Sequence, residues 1–468
     1  MYDLVREQAD ALAILRKESL DIYSRLHSIA QDVAFVNDVH DAYPGIPILP
    51  NLRCGAWYTD PAIRQAADVP AYFKSTDGHY GSWRFSLRRP NLHLLPLAAA
   101  HDGKGIVLVD STRAGKRLPD ALSKTVPIWC AVVNRAVLLR RGNSGSDWDT
   151  ALHTPPGAVS AQEAAQIAAR LEGWSAALAA SSYALADLPR PLRPLWVTPA
   201  GGRPVPPAAC IPVICVSASG QVPEDTARRA QGFAYVQGAG DDHELWGMGL
   251  TPELFWRHRV DLLAAVRADL PILVARLVAE EAHTHLCPAS GTAAAAIARG
   301  PTPVTRVYGR VLVCAAADLV TWAPLTAHVV VVAAGTAAHL LAAPLGTPIL
   351  RIDAWAGKKG QMQLLHDILP RATAFVAVQL GLGHPVCVTC DTGTDLSVGI
   401  ALAMLQMFFD ESGSLIVDSA QRDIANKQSI RTRLEWIIAS RPEANPSRST
   451  LKRVNEFLLS DRAFRAPL

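Results

Sequence analysis

The chain has 468 residues, half of them apolar and 19% charged, with 45 Lys and Arg against 42 Asp and Glu. That balance excludes a disordered, collagenous or disulfide-scaffold protein, and at this length it predicts several domains with cores of their own. The eight cysteines include one Cys-x-x-Cys, Cys387 to Cys390, with no second ligand pair, which fits a reducing, cytoplasmic compartment better than a disulfide framework or a zinc site.

From the N-terminus, residues 1–20 alternate charged and apolar residues at helical spacing and lack a signal peptide's apolar core, so they predict an amphipathic helix. The stretch AYFKSTDGHYGSWRFSLRR, 71–89, reads as an aromatic strand, a loop and a helix, with Lys74, His79, Arg84, Arg88 and Arg89 around one acid, Asp77. A buried strand, 105–109, then ends in Asp110-Ser111-Thr112-Arg113-Ala114-Gly115-Lys116-Arg117. This superficially resembles the phosphoribosyl pyrophosphate loop of common phosphoribosyltransferases, with one acid where two are expected, and it lacks the first glycine of a Walker A loop. Helix is expected over 155–180, a Pro- and Gly-rich loop over 189–207, a strand over 208–216 and a linker over 287–303.

The chain is therefore divided near residue 300. Beyond it the pattern predicts strands at 307–314, 327–333, 348–352, 373–379 and 385–389, and helices at 336–342, 360–369 and from about 397. Residues 319–350 carry no Asp, Glu, Lys or Arg, but their prolines, glycines and β-branched run read as buried strand, loop and small-residue helix rather than a membrane span. The expected fold class is α/β: an N-terminal mixed α/β domain, 1–300, and a C-terminal α/β domain, 301–468.

At 384–409 an apolar strand runs into Cys390-Asp391-Thr392-Gly393-Thr394-Asp395-Leu396-Ser397 and then into an apolar helix, the arrangement in which loop amides and a helix N-terminus hold an anion. It resembles the phosphate loop of dual-specificity protein phosphatases, with Cys390, Gly393 and Ser397 in matching places. Thr389 stands where that family has His, and Leu396 where it has Arg. Without the guanidinium the loop lacks a bidentate grip on phosphate, which implies a phosphatase-like fold without phosphatase chemistry.

Charge is unevenly spread. Residues 74–141 hold 12 Lys and Arg against 4 acids, and residues 420–468 hold 10 against 5. Two basic segments on an otherwise acidic body point to a polyanionic partner.

NLRCGAWY at 51–58, YFKSTDGHYGSWRFSLRRPNLHLL at 72–95, VDSTRAGKRLPDALSKTVPIWCAVVNR at 109–135, CDTGTDLSVG at 390–399, NKQSIRTRLEWI at 426–437 and NPSRSTLKRVNEFL at 445–458 together resemble the initiator tRNA phosphoribosyl transferase family. The resemblance implies a glycosyltransferase that moves 5-phosphoribosyl from phosphoribosyl pyrophosphate to the 2′-OH of the adenosine at position 64 of initiator methionyl tRNA, keeping it out of elongation. A dual-specificity-like phosphatase and a non-catalytic RNA-binding protein are the alternatives.

Such a transfer needs cations on departing pyrophosphate, an anion pocket for the 5-phosphate and a positioned hydroxyl. The phosphate groups are assigned to Lys74, Ser75, Thr76, Gly78, Ser111, Thr112, Arg113, Lys116, Arg117 and Lys124, with the loop residues Cys390, Asp391, Thr392, Gly393, Thr394 and Ser397 as further candidates. Mg2+ is expected on Asp77 or Asp110, the remaining carboxylate or His79 handling the 2′-OH proton. Arg84, Arg88, Arg89, Arg431, Arg433, Arg448, Lys452 and Arg453 are expected to track the RNA backbone.

Overall fold

The structure is a computed structural model that describes residues 20–52, 54–64, 71–113, 115–142, 148–222, 226–228, 232–286, 300–319, 326–333, 346–416 and 425–460. The helices expected within 1–19 and over 336–342, and most of the 287–303 linker, lie outside the described residues. The chain divides into two compact units: Met1–Ser86, Pro90–Ala180 and Leu185–Gly291 form one, and Leu87–Arg89, Ser181–Ala184 and Thr292–Leu468 the other.

The first unit is built on four parallel strands, β1 (Ile48–Pro50), β2 (Ile106–Asp110), β3 (Leu192–Val197) and β4 (Ile211–Ser217), in the order β1-β2-β4-β3. β2 and β4 are buried along their whole length, as continuous apolar runs must be when both faces of a parallel strand are covered. Helix α1 (Ile22–Ala42), capped by the Asp21 carboxylate on Ser24 N, packs its buried face on Val107, Val109, Ile214 and Val216. Alternation leaves Trp196 on the other face, where its indole donates to Leu122 O just before α2 (Val126–Arg141). The helical run 121–141 is long and apolar enough to cross a membrane, but 83% of its apolar window is buried in the fold, as for a core helix. An antiparallel pair, β5 (Thr226–Arg228) and β6 (Ala234–Val236), lies outside this sheet.

Three expectations for this unit are corrected. The 189–207 segment contains β3, and its prolines are tolerated because β3 is the edge strand. The helix over 155–180 is two, Ala161–Ala168 and Leu171–Ala179. No helix directly follows the 71–82 loop: Ala71 makes one bridge to Asn51, Ser75–Asp77 form a single helical turn, and 83–86 are irregular.

The second unit has β7 (Thr302–Pro303), β8 (Val311–Ala315), β9 (Ala327–Ala333), β10 (Ile349–Ala354) and β11 (Val386–Cys390), in the order β10-β9-β11-β8-β7. The four longer strands are parallel and β7 is antiparallel. Helix α3 (Leu369–Gly381) lies between β10 and β11, and α4 (Leu396–Phe408), α5 (Lys427–Ser440) and α6 (Arg448–Leu459) follow β11. The strand expected at 373–379 is part of α3: Leu369, Thr373, Val376 and Leu380 are buried at helical spacing, and that periodicity prevailed over the β-branched composition. Helix 360–369 starts at Gly357 and runs through a π turn into α3. Cys387 and Cys390 are three residues apart on one strand and so face opposite sides of the sheet, which keeps the Cys-x-x-Cys from converging on one ion.

Candidate active site and nucleic-acid interface

Parallel strands end together, so the loops after β1, β2, β3 and β4 gather at one edge, where open α/β sheets bind ligands. Asp110 closes β2 there and is 1% exposed. Its Oδ1 accepts from Cys54 Sγ at 2.9 Å and Ser111 N at 2.8 Å, and its Oδ2 accepts from Asn51 Nδ2 at 2.8 Å. Asn51 also donates to Phe73 O at 2.8 Å and accepts from Phe73 N at 2.9 Å. One amide thus fastens the segment before Lys74 to Asp110. Burial, helped by the Asp110 charge, pushes the Cys54 thiol well up, so it stays a neutral donor.

The 74–84 loop rests on residues 116–125. Thr125 Oγ1 donates to Lys74 O at 2.9 Å, and a Cβ on Gly78 would meet Asp120 O at 2.7 Å and Thr125 Oγ1 at 2.9 Å, which leaves glycine as the residue that fits. Asp77 is buried and accepts from Arg84 Nε at 2.6 Å. Asp120 gathers two lysines, Lys124 Nζ at 3.0 Å and Lys116 Nζ at 3.1 Å, with the imidazole of His79 at 3.7 Å. Burial would raise its carboxyl, but the lysine hydrogen bonds and charges outweigh that and hold it below the ordinary value. Lys124 also reaches Glu163 Oε1 at 3.1 Å, which Trp83 Nε1 shares at 3.0 Å. Arg113 pairs with Asp242 at 2.7 Å.

These contacts correct several expected roles. Asp77 and Asp110 do not fit direct Mg2+ ligation, because both are buried and already bonded by protein donors. Among the described residues no group of three His, Cys, Asp or Glu is placed to hold a metal. Lys124, 7% exposed between two carboxylates, braces the loop rather than offering its charge to a phosphate. His79 is exposed beside Asp120. Lys74, Thr76, Arg113, Lys116 and Arg117 are exposed along this edge, Thr112 is half-buried, and Ser75 is buried.

On the α1 face, Ser111 Oγ donates to Ser219 Oγ at 2.7 Å, and Ser219 Oγ donates to the buried Asp32 carboxylate. Tyr235 Oη donates to the same carboxylate at 2.7 Å and accepts from Gly220 N at 2.9 Å. Burial and the Asp32 charge keep that phenol protonated. Gln237 and Gln221 donate to Lys116 O and Gly115 O, at 2.7 and 2.6 Å, and hold the 111–117 loop down. Sequence reasoning missed Asp32, Ser219, Tyr235, Asp120 and Glu163. Only Asp120 carried a local signal, Lys116 and Lys124 standing four residues to either side of it.

In the second unit Cys390 is 3% exposed, its Sγ 3.1 Å from Ser397 Oγ. Thr392 and Thr394 hydroxyls lie 2.9 Å apart, the Asp391 carboxylate accepts from Ala333 N at 3.2 Å, and Asp395 accepts from Ser447 N at 2.9 Å. Gly393 has φ +66°, and its carbonyl accepts from Arg441 Nε at 2.9 Å. Arg441, also unforeseen, is buried and donates to Thr302 Oγ1 as well. Among the expected RNA contacts, Arg431, Arg448 and Lys452 are exposed, Arg431 while pairing with Glu435 at 3.4 Å, and Arg453 pairs with Glu456 at 2.6 Å and Arg84 with Asp77. Arg88 and Arg89 belong to this second unit and are half-buried, Arg88 donating to Pro446 O. Arg433 is a correction: 1% exposed, it donates to Phe409 O and stacks 4.3 Å from the Trp436 ring, a core residue and not a surface cation.

Comparison with known proteins covers both units. A family model described as the Rit1 N-terminal domain matches residues 15–279, and one described as the Rit1 DUSP-like domain matches 348–458. A Saccharomyces cerevisiae protein named tRNA A64-2′-O-ribosylphosphate transferase is 32% identical across 95% of this chain and 93% of its own. An uncharacterized Schizosaccharomyces pombe protein is 42% identical over 56% of this chain, an alignment that spans 57% of the relative's length. Solved structures similar to part of the chain include DUSP15, 17% identical over 36% of this chain and 92% of that one with a TM-score of 0.26. Human DUSP28 is 14% identical over 28% and 77%, with a TM-score of 0.20. The N-terminal match alone spans more than half of the sequence, and with the yeast relative aligned almost end to end the chain belongs to the Rit1 family.

Proposed function

We propose that this chain is a pentosyltransferase that moves 5-phosphoribosyl from phosphoribosyl pyrophosphate to the ribose 2′-OH of adenosine 64 in the T stem of initiator methionyl tRNA, a mark that keeps this tRNA out of elongation in the cytoplasm. The observation that carries the reading is the near full-length match to the yeast tRNA A64-2′-O-ribosylphosphate transferase. The strand-end edge of the first unit supports it with exposed Lys74, Arg113, Lys116 and Arg117 on loops fixed by buried side chains.

Breaking the anomeric C–O bond places positive charge on the ribose and negative charge on the departing pyrophosphate. Cations already held in place stabilise that leaving group without reorganising during the reaction. Lys116 and Arg113 are so held by Asp120 and Asp242. Asp110 acts as a positioning residue that ties the 51–54, 71–73 and 111 segments together. Mg2+, expected from the donor's chemistry, finds no direct ligand in Asp77 or Asp110. The exposed Arg431, Arg448 and Lys452 suit the phosphates flanking an A-form minor groove, where a T-stem 2′-OH is presented. The test is pyrophosphate release from phosphoribosyl pyrophosphate: it should require initiator tRNA and stop at one pyrophosphate per tRNA, and release that ignores the RNA would refute the reading.

A further inference from the structure

We infer that the carboxyl end of β3 carries a phosphate subsite made by Thr198, Gly201 and Arg117, with Ser217 beside it. Thr198 is 4% and Ser217 1% exposed, and neither hydroxyl has a hydrogen-bond partner among the described residues. Buried hydroxyls of this kind are seldom left unpaired, and two side by side call for a ligand. Val197, the last residue of β3, pairs with Val216, and Asp110 pairs with Ser217, so Thr198, the first residue beyond β3, follows the register that sets Asp110 beside Ser217.

The turn after β3, Thr198-Pro199-Ala200-Gly201-Gly202, closes with Gly201 N donating to Thr198 O at 2.9 Å. A Cβ on Gly201 would lie 2.8 Å from Thr198 Oγ1 and 3.7 Å from Arg117 Nη2. The hydroxyl and the guanidinium therefore border one space, which any side chain at 201 would fill. Arg117 is exposed and makes no ion pair with a described residue, unlike Arg113 and Lys116 on the same loop. The nearest acid in the strand row, Asp110, turns both oxygens toward Cys54, Asn51 and Ser111 N, so its lone pairs face away from the subsite and the Arg117 guanidinium is the charge that borders it.

A guanidinium, hydroxyls and a glycine turn at a parallel strand end suit a phosphate monoester. That the ester is the 5-phosphate of a ribose rests on the proposed function; that the site takes a phosphate does not.

The experiment uses the full chain and ribose 5-phosphate, followed by calorimetric titration and thermal shift, with inorganic phosphate as a second probe. Arg117→Gln, Gly201→Ala and Thr198→Val should each weaken ribose 5-phosphate about tenfold or more. Thr198→Val should also unfold at a higher temperature than wild type without ligand, because it removes an unpaired buried hydroxyl, and lose the ligand-induced rise. Inorganic phosphate should compete in the wild type. Wild-type affinity in all three variants, or no binding of either probe to the wild type at millimolar concentration, would overturn the subsite. Binding lost in the variants from a wild-type chain that never modifies tRNA would uphold the subsite and reject the donor assignment.

Discussion

Lys124 Nζ lies 3.0 Å from Asp120 Oδ1, one helical turn away in sequence, at the point where the 74–84 loop meets the start of the helical run 121–141. The pair is shielded and tied to Glu163, so its loss is felt first as stability. Lys124→Met should destabilise the first unit by about 1–3 kcal/mol, since it removes a shielded charge from between Asp120, which keeps Lys116, and Glu163, which keeps the Trp83 indole. Urea unfolding checks this, and a variant of wild-type stability that fails only to bind donor would contradict the bracing role.

Asp120 sets the acid limb of stability. Its folded carboxyl lies below the ordinary value, so its contribution is complete above the unfolded carboxylate pKa of about 3.9 and is lost as pH falls through the folded value. Unfolding free energy should decline below about pH 4 in wild type and decline less steeply in Asp120→Asn. A steeper acid decline in the variant would show the sign to be wrong.

Asn51 and Asp110 act as one unit. Asn51→Ala removes three hydrogen bonds and should cost about 2–4 kcal/mol with faster proteolysis within 71–84. Asp110→Asn should cost less in the Asn51→Ala background than in wild type, a coupling of about 1 kcal/mol or more in a double-mutant cycle. Strict additivity would separate them.

The Cys390 thiol is buried against Ser397 and lacks a neighbouring arginine in its own loop. Cys390→Ser should keep tRNA modification within about threefold, as expected where no nucleophile is removed, and the wild type should release no phosphate from aryl phosphates. Hydrolysis abolished by the same substitution would restore phosphatase chemistry.

Arg448 and Lys452 stand exposed one turn apart on α6, whereas Arg433 is in the core. Replacing either surface residue with Ala should weaken tRNA binding and lower the salt slope by about one unit. Arg433→Met should leave that slope alone and lower the melting temperature. Filter binding between low and moderate salt distinguishes the two behaviours.

The parallel cores were readable because strands buried on both faces are written as continuous apolar runs: 327–333 is strand over its full predicted range, and β2, β10 and β11 begin and end within two residues of expectation. β3 was hidden by its prolines, which signal a loop everywhere except on an edge strand. The 373–379 segment was misread because Thr, Phe and Val favour strands, although every third or fourth residue is buried. At the site, the exposed cations of 111–117 were visible in the sequence. Their counter-charges were less so: Asp241 and Asp242 lie more than 120 residues away, and Asp32 reaches Ser219 and Tyr235 across about 190 and 200 residues. Burial, which removes Arg433 from the RNA surface and Asp110 from the metal, is a property of tertiary packing that local spacing does not encode.

The central claim is tested most directly by incubating the purified chain with phosphoribosyl pyrophosphate labelled in its ribose, together with initiator tRNA, and mapping the label by nuclease digestion. The account predicts one alkali-stable label per tRNA on the 2′-oxygen of adenosine 64 and none when that nucleotide is 2′-deoxy. Label at another nucleotide, label that survives the 2′-deoxy substitution, or no label from a chain that binds both substrates would contradict it.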